Sequence, residues 1–201
     1  MSIPSKIAYE KAFEVKCFTL MNEAYEDSLA LKTIQLDWDE NDISQELCER
    51  IDLNPSRRKW RIFVSREHHL TSTNVNKIKG FANRLSRIDF KMATFNKSDE
   101  HLYYFEAKRI KEKDSSLKRS YINEGIDRFI KNKYPLGCML GFLLEGDLHN
   151  TVGGINKLLI SDKRNLEVLN LSTATFKNYY ESRHVTIDLL KHLILDFTVT
   201  K

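Results

Sequence analysis

A chain of 201 residues with 41% hydrophobic and 30% charged side chains has the size and composition of one domain with a genuine core. Only 7 Gly and 3 Pro exclude collagen-like, Pro-rich and long disordered tracts, and the longest apolar run, Leu136 to Leu144, is half of what a bilayer-spanning helix needs. The net charge of +4 conceals a division: residues 1–56 carry 5 Lys/Arg and 12 Asp/Glu, net −7, and the remainder is net +11, which suggests a polyanionic partner without naming any chemistry.

The first residues lack the basic-then-apolar layout of a secretory signal, so a cytoplasmic protein is expected. Cys17, Cys48 and Cys138 are far apart and odd in number, which favours buried free thiols over a disulfide framework, a zinc ribbon or a redox pair.

In chain order, Tyr9, Phe13, Cys17, Leu20, Ala24 and Tyr25 recur at three- and four-residue steps and predict a long amphipathic helix from Ile7 to Leu29. Thr33 to Trp38 is β-prone. Asp39 to Asp42 supply capping chemistry for a shorter helix over Ile43 to Ile51, which Asn54-Pro55-Ser56 should end. Trp60 to Val64 then reads as a strand. Leu85 to Phe95 and His101 to Ile110 read as two strands joined by Asn96-Lys97-Ser98-Asp99. A hairpin symmetric about Lys97 and Ser98 sets Asp89 opposite Glu106 and Arg87 opposite Lys108. Period-two alternation then gathers Asp89, Lys91, Glu106 and Lys108 on one face, with Ile88, Phe90, Met92, Tyr103, Phe105 and Ala107 on the other. Ser116 to Tyr134 has helical spacing and is stopped by Pro135. Gly137 to Leu144 is apolar throughout, as for a strand buried on both faces. A helix at Leu148 to Ile160, a strand at Leu166 to Leu171, a variable Tyr/Arg/His segment and a strand near Ile187 to Phe197 complete the chain. The expected architecture is α/β: a mixed sheet with a β-β-α-β unit, flanked by helices and preceded by an amphipathic helix.

An acid on one strand facing Glu-x-Lys on its neighbour suits a metal-dependent phosphodiesterase. Mg²⁺ binds through one or two carboxylates and keeps several waters, and it polarises phosphate and acidifies water. Lys108, on the face of Glu106, could orient the attacking water or neutralise charge on the reacting phosphate. The bland alternative is a solvated ladder of ion pairs on an exposed sheet face. Phosphate-binding Gly-rich loops, His-Glu-x-x-His and Gly-x-Ser-x-Gly are absent.

Asp89, sixteen intervening residues and then Glu106-Ala107-Lys108 resemble the catalytic core of the PD-(D/E)xK nuclease superfamily, the restriction-endonuclease-like fold. The resemblance covers roughly residues 41–145. Arg87-Ile88-Asp89-Phe90 and Phe105-Glu106-Ala107-Lys108-Arg109 look most like nucleases of restriction and phage-defence systems, although Ile88 stands where the name-giving proline would be. The resemblance implies one nuclease domain over 1–201: an N-terminal helical extension at 1–40, a catalytic core at 41–145 and a C-terminal helix and strands at 146–201. By it, Asp89 and Glu106 would hold Mg²⁺ or Mn²⁺, with the Ala107 carbonyl and the helix-borne Glu46 as further ligands, Glu67 as an alternative acid, and Lys108 as the catalytic lysine. Arg109, Lys111, Lys113, Lys118, Arg119, Tyr121 and Arg128 would lie along a bound phosphate backbone, of DNA more readily than RNA. Tyr121 and Arg128, seven apart, would share a helix face. Two side clusters, Arg57-Arg58-Lys59 with Arg61 and Tyr179-Tyr180 with Arg183-His184, read as surface or as further phosphate contacts. His68 and His69 point to opposite strand faces.

The rival reading is a non-catalytic nucleic-acid-binding or assembly subunit of a defence complex, the N-terminal helix docking a partner such as a helicase. A third, purely structural reading expects Asp89 and Glu106 to be paired with arginines.

Overall fold

The period-two and period-3.6 stretches of the sequence become the two kinds of layer in the computed structural model, which describes residues 3–70, 79, 81–96, 99–135, 137–172 and 176–200. Seven strands form one mixed sheet: β1 (Phe63–His69), β2 (Arg87–Asn96), β3 (Asp99–Lys111), β4 (Cys138–Glu145), β5 (Asn170–Leu171), β6 (Tyr179–His184) and β7 (Asp188–Asp196), in the order β1-β2-β3-β4-β7-β6-β5. β1, β2 and β3 form an antiparallel meander; β3, β4 and β7 run parallel at the centre; β6 and β5 return to antiparallel pairing. A parallel pair needs a crossover, and the segment between β3 and β4 supplies it.

α1 (Ile3–Leu31) and α2 (Glu40–Leu53) cover one face. Phe13, Cys17, Phe18, Leu20 and Met21 of α1 meet Ile43, Leu47 and Ile51 of α2 over Phe90, Phe105, Leu140 and Phe142 of the sheet. The apolar stripe of α1 is therefore occupied by its own sheet, so a docking partner would have to use the outer face of the helix. On the opposite face, Tyr121, Ile122, Ile126 and Phe129 of the crossover and Val152, Ile155 and Leu159 of α6 (Leu148–Ser161) pack on Tyr104, Ile110, Met139, Leu143 and Ile194. With helices on both faces, β4 is buried from Cys138 to Leu144. All three cysteines are buried free thiols. Among the described residues no helix is long and apolar enough to cross a membrane.

The hairpin register agrees with the sequence reading from Phe90↔Phe105 to Asn96↔Asp99, while Lys97 and Ser98 lie outside the described residues. The ladder ends at Phe90↔Phe105, so the expected backbone pairs Asp89–Glu106 and Arg87–Lys108 do not form. Ile88 leaves the company of Phe90 and Met92 and joins the core of the opposite face. Thr33 to Trp38 forms turns rather than a strand. α2 ends at Leu53 with Asn54 as its C-cap, as Asn54-Pro55-Ser56 predicted, and Pro55 also starts a new element: it opens α3 (Pro55–Trp60), where its missing N–H costs nothing, and Asn54 caps that helix by accepting the Ser56 N–H at 2.8 Å. Trp60 and Arg61 are thus the end of a helix, and the strand begins later, at Phe63. Leu166 to Leu171 yields a 3₁₀ turn (Asn165–Glu167) and the two-residue β5, whereas the variable Tyr/Arg/His segment is the genuine strand β6.

The crossover is not one helix. It runs as α4 (Ser115–Ser120), a π-helical turn (Tyr121–Ile126) and α5 (Asp127–Ile130). Gly125 lets the wide turn lie on β4, since a Cβ there would collide with Met139 Cε. At the sheet centre, a Cβ at Gly141 would stand 2.6 Å from Ile194 Cδ1 and 3.0 Å from Ile110 Cδ1. Gly141→Ala should overpack this layer and cost about 1–3 kcal/mol, read as a lower midpoint in urea unfolding with an unchanged slope.

Candidate active site

β3 pairs with two strands of opposite direction in succession. Phe105 is the residue of the handover, opposite Phe90 of β2 and Cys138 of β4. Beyond it β2 diverges, and the Ala107 N–H, no longer met by a β2 carbonyl, donates to Asp89 Oδ2 at 2.6 Å. A carboxylate thus replaces a ladder acceptor, which draws Asp89 into the fork beside Glu106 and Lys108.

Glu106 is 2% exposed. Its Oε1 receives Arg128 Nη1 at 3.2 Å, the Lys108 ammonium at 3.1 Å and, at 3.4 Å, a share of the Tyr134 hydroxyl hydrogen that mainly meets the Arg87 carbonyl at 2.9 Å. Its Oε2 is buried and has no hydrogen-bond partner. One oxygen is clamped and the other is presented bare, an arrangement that leaves a strong acceptor unsatisfied unless a cation or a proton meets it. Burial first, then the negative charge of Asp89, push the Glu106 carboxyl up to about 8, against the pull of Lys108 and Arg128.

Lys108, 7% exposed, donates to Glu40 Oε1 at 2.8 Å and to the Ala107 carbonyl at 2.6 Å. Burial opposes its charge, but Glu106, Glu40 and Asp89 outweigh burial and hold the ammonium above the ordinary lysine range. Glu40 sits in the first turn of α2, where Asp39 caps the helix by accepting the Asn41 and Asp42 N–H groups at 2.8 and 3.0 Å. Its second oxygen accepts the Arg109 N–H at 3.2 Å, and burial raises its carboxyl against the opposing pull of Lys108. A cleft of about 280 Å³ lined by Glu40, Asn41, Lys108, Arg109, Ser120 and Glu124 brings solvent to the Glu40 and Lys108 side of this cluster, with Glu106 buried behind it.

The structure therefore brings together Asp89, Glu106, Lys108, the Ala107 carbonyl and Arg128. It joins to them Glu40 and Tyr134, neither of which the sequence reading selected. Glu46 bonds Arg50 at 2.7 Å one helical turn away, and Glu40 is the α2 acid that bonds Lys108. Glu67 pairs loosely with Arg87 at 3.8 Å in a left-handed backbone conformation (φ 46°). The cap at Asp39 was the available signal for Glu40, because a helix N-terminus near a strand end places its first-turn acid there. Tyr134 carried no signal beyond its place before Pro135.

The expected phosphate-backbone row divides. Arg109 reaches the Trp38 carbonyl at 3.3 Å beside the cleft, and Lys113 is exposed. Lys111 is paired with Glu145 at 3.6 Å and Arg119 with Asp162. Lys118 is buried, donating to the Glu112 carbonyl at 2.5 Å and packed over Gly154 of α6. Tyr121 is completely buried and bonds His192, so it cannot touch a ligand at the surface. The π-helical turn is the reason: its extra residue per turn breaks the seven-residue repeat, so Tyr121 turns to the sheet interior while Arg128 turns to Glu106. In the side clusters, Arg57 is held by the Ile62 carbonyl, Tyr179 and Tyr180 are buried, and Arg183 pairs with Asp188.

No family model, curated protein or solved structure matches the chain. Among the described residues, no group of three or more His, Cys, Asp or Glu forms a ready metal cage. Glu106→Gln, which keeps the shape and cannot ionise, removes the loss of stability that Glu106 imposes as pH rises from the ordinary carboxylate range toward 8, so the variant should keep the fold and gain about 1 kcal/mol at neutral pH. Paired urea melts of the two proteins at neutral pH measure this difference.

Proposed function

We propose that the chain is a divalent-cation-dependent nuclease, hydrolysing phosphodiester bonds in DNA more readily than RNA, on a restriction-endonuclease-like core. The observation that carries this reading is the bare, buried Glu106 Oε2 in a fork shared with Asp89, the Ala107 carbonyl and Lys108. The two carboxylates and the carbonyl are hard oxygen donors, the chemistry that Mg²⁺ and Mn²⁺ take, and Mg²⁺ needs only one or two carboxylates, since it keeps its waters. Asp89, Glu106 and the Ala107 carbonyl would hold the ion, with Glu40 in the part that the resemblance gave to Glu46. Bound there, the ion would supply Lewis-acid polarisation of the phosphate and acidification of water.

The remaining work belongs to the chain. Lys108 is fully charged and held by three oxygen groups at the cleft wall, where it can exchange one of them for a phosphate oxygen. Arg109 and Lys113 would steer the backbone without reading bases. Arg128 and Tyr134 fix Glu106 Oε1 so that Oε2 is the oxygen left to bind. The defence context, the cytoplasmic setting and a partner such as a helicase rest on the resemblance alone.

One observation favours a second reading. Glu106 is paired with Arg128, so the charges can close among themselves, as they would in a binding or assembly subunit that keeps the fold without chemistry. Purified protein offered single- and double-stranded DNA and RNA with Mg²⁺ or Mn²⁺ separates the two. The nuclease reading expects cation-dependent cleavage that falls by about 10²–10³-fold in Lys108→Ala and in Asp89→Ala, with circular dichroism unchanged. Intact substrates under every condition, or undiminished cleavage by Lys108→Ala, would overturn it. Salt-sensitive DNA retention with no cation dependence would establish the binding role.

A further inference from the structure

Behind the crossover, five side chains from four elements form an unbroken chain of hydrogen bonds. The Tyr121 hydroxyl meets His192 Nδ1 at 2.9 Å, and His192 Nε2 meets Ser182 Oγ at 2.7 Å. Ser182 Oγ meets His184 Nε2 at 2.6 Å, and His184 Nδ1 meets Glu167 Oε2 at 2.7 Å. Tyr121, Ser182 and His192 are wholly buried, and His184 nearly so. Arg164 bonds the same Glu167 oxygen at 2.7 Å and Asp127 at 2.9 Å, which keeps Glu167 ionised.

That carboxylate fixes every proton in the chain. An ionised carboxylate only accepts, so His184 must donate through Nδ1. A neutral His184 then accepts at Nε2, and the single Ser182 proton is committed to it. Ser182 must accept from His192 Nε2–H, and His192 Nδ1 must accept from the Tyr121 hydroxyl. With both imidazoles neutral, all five groups are satisfied in one polarity, and the two histidines are required to be opposite tautomers.

We propose that this chain is a proton-sensitive latch that pins the π-helical turn to the sheet through Tyr121 and releases it when His184 takes up a proton. A protonated His184 donates at both nitrogens. Ser182 Oγ then receives two N–H donors and its own hydrogen loses its acceptor, or else His192 changes tautomer and the Tyr121 hydroxyl loses its own. Either way one buried donor is orphaned, and although Tyr121 and His192 keep a contact in both forms, that cost weakens the chain that holds the turn and favours its opening. The proton has an entrance: His184 and Glu167 line a cleft of about 620 Å³ with Leu166 and the fully exposed Val185 at its rim.

The charges around His184 come from every side. Glu167 and Asp127 favour its protonation and Arg164 opposes it, while Lys131, just past the end of α5, partly neutralises Asp127. Across the chain, His192 on β7 would repel a charged neighbour, and Lys163 and Arg183 stand at the cleft. Burial holds His184 below the ordinary histidine range, with Glu167 pulling the other way, and holds His192 at about 3. A group depressed in the folded state contributes its stability fully above the unfolded value of about 6.5 and loses it as pH falls through the folded value. The latch therefore opens in acid. What it holds matters, because the segment it pins continues into Arg128 on Glu106. The latch stands whether or not the cleft beyond cuts phosphodiesters.

Long-range ¹H–¹⁵N correlation spectra of the full chain at pH 7.5 test the polarity directly. The expected result is His184 as the Nδ1–H tautomer and His192 as the Nε2–H tautomer; His184 as Nε2–H would overturn the proposal. Amide exchange tests the release. Protection of residues 121–126 should fall by about ten-fold relative to α6 on moving from pH 7.5 to the acid side of the His184 titration, the effect of one orphaned donor. In Ser182→Ala the same turn should already be unprotected at pH 7.5 and show no further step. If that variant does not fold, the wild-type tautomers and exchange decide alone. Titration of His184 with protection at 121–126 unchanged would show that the chain pins nothing.

Discussion

A strand that serves as the second arm of a hairpin and then as the first strand of a parallel core has to change partners, and in this chain the change at Phe105 sets the conditions for everything around it. Once β2 diverges, main-chain groups that a sheet would have satisfied need other partners, and Asp89 answers for Ala107. Side chains at 106 and 108 project into the fork on the face that the crossover covers, so charged residues end up at low exposure because of topology rather than composition. The acids and bases found there follow from that geometry: burying Glu106 and Lys108 is tolerable only if each finds opposite charge or strong hydrogen bonds nearby. Glu40 from one layer and Arg128 and Tyr134 from the other meet that requirement, which joins both helical layers to the same point of the sheet.

The compensation is incomplete in a particular direction. Glu40, Asp89 and Glu106 are set against Lys108 and Arg128, so the cluster has one acid more than it has bases. The surplus is expressed at Glu106, whose carboxyl is pushed up to about 8 and whose Oε2 has no partner. A cluster selected for stability alone would have an apolar residue or a matched pair here. An uncompensated buried acceptor behind the Lys108 wall of a cleft is the feature that the proposed cation site draws on, and the large apolar layers on both faces of β4 supply the stability that tolerates it.

Much of this was legible in the residues. The hairpin register followed from alternation and a polar turn as far as Phe90 and Phe105, and because Asp89 and Glu106 lie one residue beyond that last pair, the reading set them at the same point even though the ladder stops short of them. β4 was legible because burial on both faces leaves an unbroken apolar run. What failed did so for local reasons. The phase of α2 could be read from Ile43, Leu47 and Ile51, but the acid that reaches β3 depends on where the helix enters the fold, and entry favours Glu40 over Glu46. Asn54-Pro55-Ser56 does end α2, but α3 was missed, because Pro suits the first turn of a helix as well as the stretch after one, and Asn54 caps both helices. Tyr121 was assigned to the ligand surface by a 3.6-residue period that the π-helical turn suspends, and such a turn leaves no mark in composition.

That turn joins the two polar systems of the molecule. An unbroken α-helix over the same residues would keep Tyr121 and Arg128 on one face, so one network could be reached only at the expense of the other. Widening by one turn directs Tyr121 inward to His192 and leaves Arg128 on Glu106, and Gly125 allows the widened backbone to lie flat on Met139 between them. The irregularity costs regular hydrogen bonding, and the contacts at either end offset it: a buried phenol–imidazole bond on one side and a guanidinium–carboxylate bond on the other. Because the same six residues must satisfy both ends, a displacement at either network is felt at the other, without a separate element being needed to carry it.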